Sequence, residues 1–588
     1  MALIENHALI GDRHSAALVC NDGTIDWLCL PRFDSPACFA ALLGTRDNGH
    51  WRIAPEAPAQ ITRHYRGDSM VLETRFETAD GDIALIDFMS IDPAHLIRIV
   101  EGRSGSVRCH LDLVMRFDHG ITIPWVTRLH RGHGIHAVSG PDQLVIRADV
   151  PLNARGMSTT ADFTVTAGQK ISFILSHAPS HHPMPEPPDP AAALRKTEAW
   201  WHSWSHRTAY NGRWRAPVQR SLLTLKALTH APTGGIAAAP TTSLPEQIGG
   251  TRNWDYRFCW PRDASFCLLA LSHAGHHHEA RAWADWLHRA VAGSPTQLQA
   301  LYGLGGERYI PEQELPWLPG YENSKPVRIG NAAMAQHQLD VFGELELALH
   351  HEVEMGFAAP ATHWGLRRAL IDHLVTIWRD PDDGIWEVRG GRQQFTFSKA
   401  MAWAALDRAI ASAKTHRLQA DLACWTAARD EVFAMIIDRG FNPAIGAFTQ
   451  TLDGATLDAS LLLLPLIGFL PATDPRVLST TAAIAAGLMQ NGLVRRYHTA
   501  QTADGLPPGE GVFLACSFWY VANLALQGRQ TGAEAMFDHL LTLCNDVGLL
   551  SEEYDPVTKR QLGNFPQAFS HLALISAALI LDGGETTL

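Results

Sequence analysis

The sequence predicts a multidomain β-then-α protein, an N-terminal antiparallel β-sandwich followed by a C-terminal (α/α)6 barrel. Three observations predict it. The spacing of apolar residues changes from alternation to helical repeats near residue 190, a proline-rich stretch marks the change, and twelve helical segments come after it.

In chain order, residues 1–182 form the expected sandwich domain. Val107, Cys109, Leu111, Leu113, Met115 and Phe117 alternate with mostly polar neighbours, and Phe163-Thr164-Val165 and Ile171-Ser172-Phe173 do so between glycine-rich turns. Alternation places every second side chain on one face, which suits two packed sheets. Residues 183–214 form the expected linker. Pro183-Met184-Pro185-Glu186-Pro187-Pro188-Asp189-Pro190 is stiff, and Asp189 as N-cap with Pro190 at the first helical position opens a helix through Trp204. Residues 215–588 form the expected barrel. Helical segments are read at 215–229, 262–275, 279–293, 331–352, 363–379, 397–414, 418–439, 458–468, 477–490, 512–527, 531–547 and 565–582. Six helical hairpins closing into a ring leave loops at one end that form a funnel.

Composition narrows the partners. With 46% hydrophobic and 18% charged residues the 588-residue chain is globular and longer than one ordinary domain. Its net charge of -12 argues against nucleic acid or an anionic membrane as partner. The N-terminus lacks a basic stretch leading into an apolar run, and no apolar segment reaches membrane-spanning length, so a cytoplasmic location is expected. The nine cysteines contain no CxxC pair and read as buried reduced thiols, and no metal or other cofactor is expected. His276-His277-His278 and His181-His182 read as polar loops, because neither has a ligand partner at useful spacing. The oligomeric state stays open, a homodimer included.

Two acidic motifs carry the chemistry: Gly384-Ile385-Trp386-Glu387 and Leu550-Ser551-Glu552-Glu553-Tyr554-Asp555. Each lies on a loop leading into a helix. Cleaving a glycosidic bond needs one carboxylic acid to protonate the leaving oxygen and a second carboxylate to activate water or attack the sugar. A third loop, Gly249 to Ala264, is dense in aromatic, Arg and Asp residues. Aromatic faces suit the C–H faces of a sugar ring, and Arg and Asp suit its hydroxyls. Taken alone, Trp254, Tyr256 and Trp260 read as readily as core, with Arg262 and Asp263 capping the next helix.

Over nearly its full length the chain resembles glycoside hydrolase family 15, the glucoamylase and trehalase family. The likeness starts at Ile4-Glu5-Asn6-His7-Ala8-Leu9-Ile10-Gly11-Asp12 and Asp22-Gly23-Thr24-Ile25-Asp26-Trp27 and runs through the barrel. It implies an exo-acting, inverting hydrolase of α-glucosides with a small carbohydrate substrate. It implies Glu387 as general acid, in a Trp-Glu pair before Phe395-Thr396, and Glu552 as general base in Ser551-Glu552-Glu553-Tyr554-Asp555. It also implies that Arg262, Asp263 and Trp260 grip the terminal glucose and that Arg496-Tyr497 lines the same subsite. The loop Ser324 to Asn331 places Arg328 at the rim, and Trp254, Trp386 and Tyr554 complete the expected substrate contacts.

The chain departs from fungal glucoamylases in carrying Val388 where they place a second acidic residue, and it ends at Leu588 with no appended carbohydrate-binding module expected. Both features favour a small soluble substrate such as trehalose, isomaltose or a malto-oligosaccharide over granular starch. The apolar Trp386 wall is expected to keep Glu387 protonated near neutral pH while Glu552 stays ionised. Two other functions remain in view: an inverting disaccharide phosphorylase on a similar plan, and a noncatalytic sugar binder.

Overall fold

In the computed structural model of the chain, residues 1–130, 132–357 and 359–584 are described. The N-terminal part is a large antiparallel sheet system of fifteen strands, from His7–Gly11 to Lys170–Pro179. The two sheets expected from alternation are joined into one hydrogen-bonded system by a single long strand, Leu96–Val114. Its first half pairs with Gly81–Met89 and Lys170–Pro179, and its second half with His50–Pro55 and Ser158–Thr166. Gly105 sits at the crossover with φ +64°, where a Cβ would lie 2.0 Å from the Asp80 carbonyl oxygen, and a register shift at Asp82/Ile83 lies opposite. A glycine and a bulge bend a strand at low cost. Past the bend the expected alternation holds: Val107, Cys109, Leu111 and Leu113 are buried while Arg108 is exposed.

Helix α1 (Pro190–Ser205) starts as the sequence predicts, with Asp189 accepting from the Ala192 N–H at 2.7 Å. Its Ala193 and Leu194 cover Ile97, Ile99 and Ile174, which explains why that end of the long strand is buried on both faces.

Eleven further α-helices come next among the described residues: α2 (Arg215–Leu228), α3 (Pro261–His273), α4 (His277–Val291), α5 (Asp340–Glu354), α6 (Trp364–Ile377), α7 (Thr396–His416), α8 (Leu422–Met435), α9 (Pro475–Leu488), α10 (Leu514–Leu526), α11 (Gln530–Leu541) and α12 (Ala568–Leu581). The segment expected as a helix at 458–468 is instead the 3-10 turn Ala459–Leu463 leading into irregular turns. Pro465 has no N–H to donate and crowds the carbonyl four residues back, so an α-helix cannot run through it. The segment expected from 331 begins as a separate 3-10 turn, Ala332–Ala335, and α5 starts only at Asp340.

Helix packing makes a ring. α3 packs on α5, α5 on α7, α7 on the 459–463 turn, that turn on α10, α10 on α12, and α12 back on α3. The other helices lie against these. α10 and α12 carry no Asp, Glu, Lys or Arg, as helices covered on all sides require. The sheet system and the helices share one apolar core, and polar contacts tie them: the Trp27 indole N–H donates to the Pro240 carbonyl (2.8 Å), Arg257 to the Ser35 carbonyl (2.9 Å), and Arg63 pairs with Asp546 (2.6 Å). No helix of the described residues is long and apolar enough to cross a membrane. The nine cysteines are unpaired and most are buried, though Cys424 is exposed. His276, expected on a polar loop, is buried and stacked on Trp204 at 4.0 Å.

Candidate active site

The loops that enter the inner helices converge on one pocket with an empty volume of about 600 Å³. Arg262 comes from the first turn of α3, Phe513 from the residue before α10, and Gln567 from the residue before α12. Glu246, Arg252, Trp254, Tyr256, Trp386, Glu387, Arg389 and Arg496 complete most of the wall. A larger hollow of about 1070 Å³ beside it shares Gln336 but brings only Asp380 as a carboxylate, so the paired chemistry belongs to the smaller pocket.

Glu387 closes a tight turn whose own N–H returns to the Gly384 carbonyl at 3.0 Å. Its φ is +56°, a left-handed conformation that costs a non-glycine residue about 1 kcal/mol. Neighbours hold it there. Gln336 Nε2 donates to the carbonyls of Glu387 and Val388 (3.1 Å each), and Arg262 Nη1 donates to the Ile385 carbonyl (3.1 Å). The Trp260 indole N–H donates to Glu387 Oε1 at 2.5 Å, and Arg262 Nη1 lies 3.7 Å from the same oxygen. Burial raises the Glu387 carboxyl above its ordinary value, opposed by the Arg262 charge and the Trp260 N–H.

Trp386, expected as the wall beside this acid, lines the pocket with its indole N–H on Asp458 at 3.0 Å. Arg496 stacks over Trp386 (5.5 Å) and Phe513 (5.2 Å). Its Nη2 lies among three glutamates: Glu246 (2.7 Å), Glu510 (2.6 Å) and Glu553 (3.3 Å). Those carboxylates are close enough together to suggest a metal site, but the guanidinium fills the middle. Arg252 supports the group from behind through Asp504 (2.6 Å) and Glu510 (3.7 Å).

Glu552 is fully buried behind this group and accepts from the Asn564 N–H at 3.3 Å. Burial first, then the nearby Glu246 carboxylate, push its carboxyl up to about 8, opposed by the Tyr256 hydroxyl and Arg496. The expectation that Glu552 stays ionised while only Glu387 is raised is therefore corrected. Both are raised chiefly by burial, and at Glu552 the neighbouring Glu246 carboxylate adds to it.

Tyr256 connects the two acids. Its hydroxyl lies within electrostatic reach of Glu552, its ring packs edge-on against Trp260 (5.3 Å), and burial with Glu552, Glu246 and Glu387 holds its own pKa well above the usual value. Sequence reasoning named Tyr256 and Arg252 only as members of a dense loop, and it missed Glu246 and Glu510. The Tyr-x-x-x-Trp spacing on one loop was the available signal for Tyr256.

Asp263 sits one step back, accepting from Arg262 Nε at 3.0 Å. Arg328 does not line the pocket and instead stacks over Trp254 at 4.6 Å. Tyr554 is not brought to the pocket either. It lies on the strand Glu553–Asp555, where alternation puts it opposite Glu553, within electrostatic reach of Glu5.

With this geometry in hand, comparison with known proteins identifies the chain. The family model Glycosyl hydrolases family 15 matches residues 212–579, and the model Trehalase-like, N-terminal matches residues 1–192. The chain is 38% identical to Trehalase of Mycolicibacterium smegmatis, covering 98% of this chain and 91% of that one. It is 35% identical to Trehalase of Thermoplasma acidophilum, covering 96% and 98%, and 31% identical to Trehalase 1 of Sulfolobus acidocaldarius, covering 98% of each. A crystal structure of bacterial glucoamylase complexed with acarbose matches in fold, with TM-score 0.75 and 14% identity over 99% of this chain and 95% of that one. Matched along both parts and nearly end to end, the chain belongs to glycosyl hydrolases family 15 and is a glycoside hydrolase.

Proposed function

We propose that the protein hydrolyses α,α-trehalose with inversion, using Glu387 as general acid and Glu552 as general base. The observation that carries the reading is the juxtaposition of two motifs distant in sequence: Glu387 lines the pocket, and Glu552 is buried directly against it, within electrostatic reach of the pocket-lining Glu246 and Tyr256. The names of the full-length relatives support trehalose as the substrate.

Arg262, Arg496 and Trp386 hold the terminal glucose, and Asp263 orients Arg262 from behind. Glu387 gives its proton to the glycosidic oxygen as the C1–O bond breaks. Glu552, ionised, takes a proton from water as the water oxygen bonds to C1 from the opposite face. An inverting pair stands about 6.5–9.5 Å apart to admit that water. The attacked glucose leaves as β-glucose, and its partner, whose own C1–O bond is untouched, leaves as α-glucose. We also assign residues 1–182 to a β-sandwich, 183–214 to the linker and 215–588 to an (α/α)6 barrel, with the 459–463 turn and the irregular turns after it standing in for one inner helix. The ring of packed helices and the extents of the two family models support this division.

The test is proton NMR of the protein with trehalose, isomaltose and maltose in phosphate-free buffer, alongside Glu387→Gln and Glu552→Gln. Equal early amounts of α- and β-glucose from trehalose, abolished in both variants, are expected. Only α-glucose would mean retention. A sugar phosphate formed only on adding phosphate would mean a phosphorylase, and sugar binding without turnover a noncatalytic protein.

A further inference from the structure

Of the charged side chains that line the pocket, Arg389 is the most exposed at 29%, against Glu246 2%, Arg252 3%, Arg496 7%, Arg262 14% and Glu387 19%. Arg389 therefore stands at the mouth. It comes two residues after Glu387, and the acid must sit on the scissile bond, so this is the leaving-group side. The guanidinium is tied down. Nη1 and Nη2 donate to the two carboxylate oxygens of Glu312 at 3.0 and 2.6 Å, and the group stacks over Trp254 at 4.1 Å. Arg328, on the same indole, reaches Glu312 at 3.4 Å.

Its backbone is tied as well. The Arg389 N–H donates to the Asp504 carbonyl at 2.7 Å. A Cβ on Gly390 would lie 2.1 Å from the Ala503 carbonyl oxygen, and one on Gly505, at φ +79°, would lie 2.4 Å from the Arg389 carbonyl carbon. The two loops touch backbone to backbone, where only glycine fits.

We propose that the Glu312–Arg389 bridge ends the pocket after the second sugar ring, making Arg389 the residue that selects disaccharides over longer α-glucans. This deepens the proposed function and rests on Glu387 being its acid. A glucan held by its nonreducing end must run its third ring outward past the acid. A bidentate ion pair crossing the mouth from the loop of Glu312 to the loop of Arg389 stands in that path. Trehalose ends at its second ring and never meets it.

The test compares the full chain with Glu312→Ala, which opens the bridge without removing a pocket-lining residue, and with Arg389→Ala, which removes the bridge itself. Folding of both is checked by circular-dichroism melting. Measured are kcat/KM for trehalose, maltose and maltotriose, and Kd for each sugar by calorimetry. The expected result is a preference for maltotriose, relative to the best disaccharide, raised about 10-fold or more in both variants. An unchanged ratio, or an equal fall for all three sugars, overturns the proposal. If the unaltered chain cleaves none of the sugars, the proposed trehalose hydrolysis fails. The Kd ratio then decides the size limit by the same criterion.

Discussion

At Glu552 a carboxyl is enclosed with Glu246 beside it and Tyr256 and Arg496 offering partial compensation. Its folded-state pKa is raised, to about 8, so the folded chain holds that proton more tightly than the unfolded chain does. The stabilisation is complete below the ordinary glutamate value and is lost as pH rises through about 8. Glu552→Gln keeps the neutral form at every pH. The melting temperature of this variant is expected to match the unaltered chain near pH 5 and to exceed it increasingly toward pH 9, measured by scanning calorimetry. A constant offset across that range would mean that Glu552 carries no raised pKa. The same proton bears on catalysis, because a base must be ionised. Activity therefore rises with pH on the acid side of the profile as Glu552 loses its proton.

The turn that carries Glu387 shows how an element is made to present one side chain. Asp382 Oδ2 accepts from the Gly384 N–H (3.3 Å) and the Leu339 N–H (3.0 Å), pinning the start of the turn to the residue before α5. Gln336 pins its end through two carbonyls. Glu387 is in a left-handed conformation that its own turn bond to Gly384 only partly offsets, so these bonds help hold the acid in place. Gln336→Ala is expected to lower kcat about 10-fold with a small change in melting temperature, since two neutral hydrogen bonds are worth about 1 kcal/mol each. Steady-state kinetics with a melting curve checks this. A loss in stability with kcat intact would assign Gln336 to packing alone.

Across the whole molecule, the sheet system and the helices are one mechanical body because the apolar core is continuous between them. Arg257 lies on that boundary. It is buried, pairs with Asp255 through Nε (2.8 Å) and Nη2 (2.7 Å), and reaches the Ser35 carbonyl. Asp255 also accepts from the Gly330 N–H at 3.0 Å, on the loop that carries Arg328. Arg257→Ala leaves Asp255 as a buried charge without its cation and is expected to cost about 3–5 kcal/mol. Urea denaturation monitored by tryptophan fluorescence and far-ultraviolet circular dichroism checks it. Both signals should move to lower urea together, and separate midpoints would show that the two parts unfold independently.

Periodicity in the chain alone determined the order of a strand-rich part, a proline linker and a helical part, because side-chain spacing reports which face of a segment is buried. Trp386-Glu387, Ser551-Glu552 and Arg262-Asp263 stood out in the chain through their likeness to the family's short motifs, and the structure brings Trp386, Glu387 and Arg262 to one pocket. Tertiary structure decided the rest. Glu246, Glu510 and the 249–264 loop that carries Arg252 and Tyr256 have no local pattern linking them to Arg496 and Glu552, and only folding gathers them there. The turn at Ala459–Leu463 looked helical because its apolar residues are spaced for a buried face, but Pro465 ended it. The facing of Tyr554 away from the pocket and the raised pKa of Glu552 depended on strand alternation and on charges remote in sequence. Electrostatics and packing act through space, and one residue's neighbours in space are mostly not its neighbours in the chain.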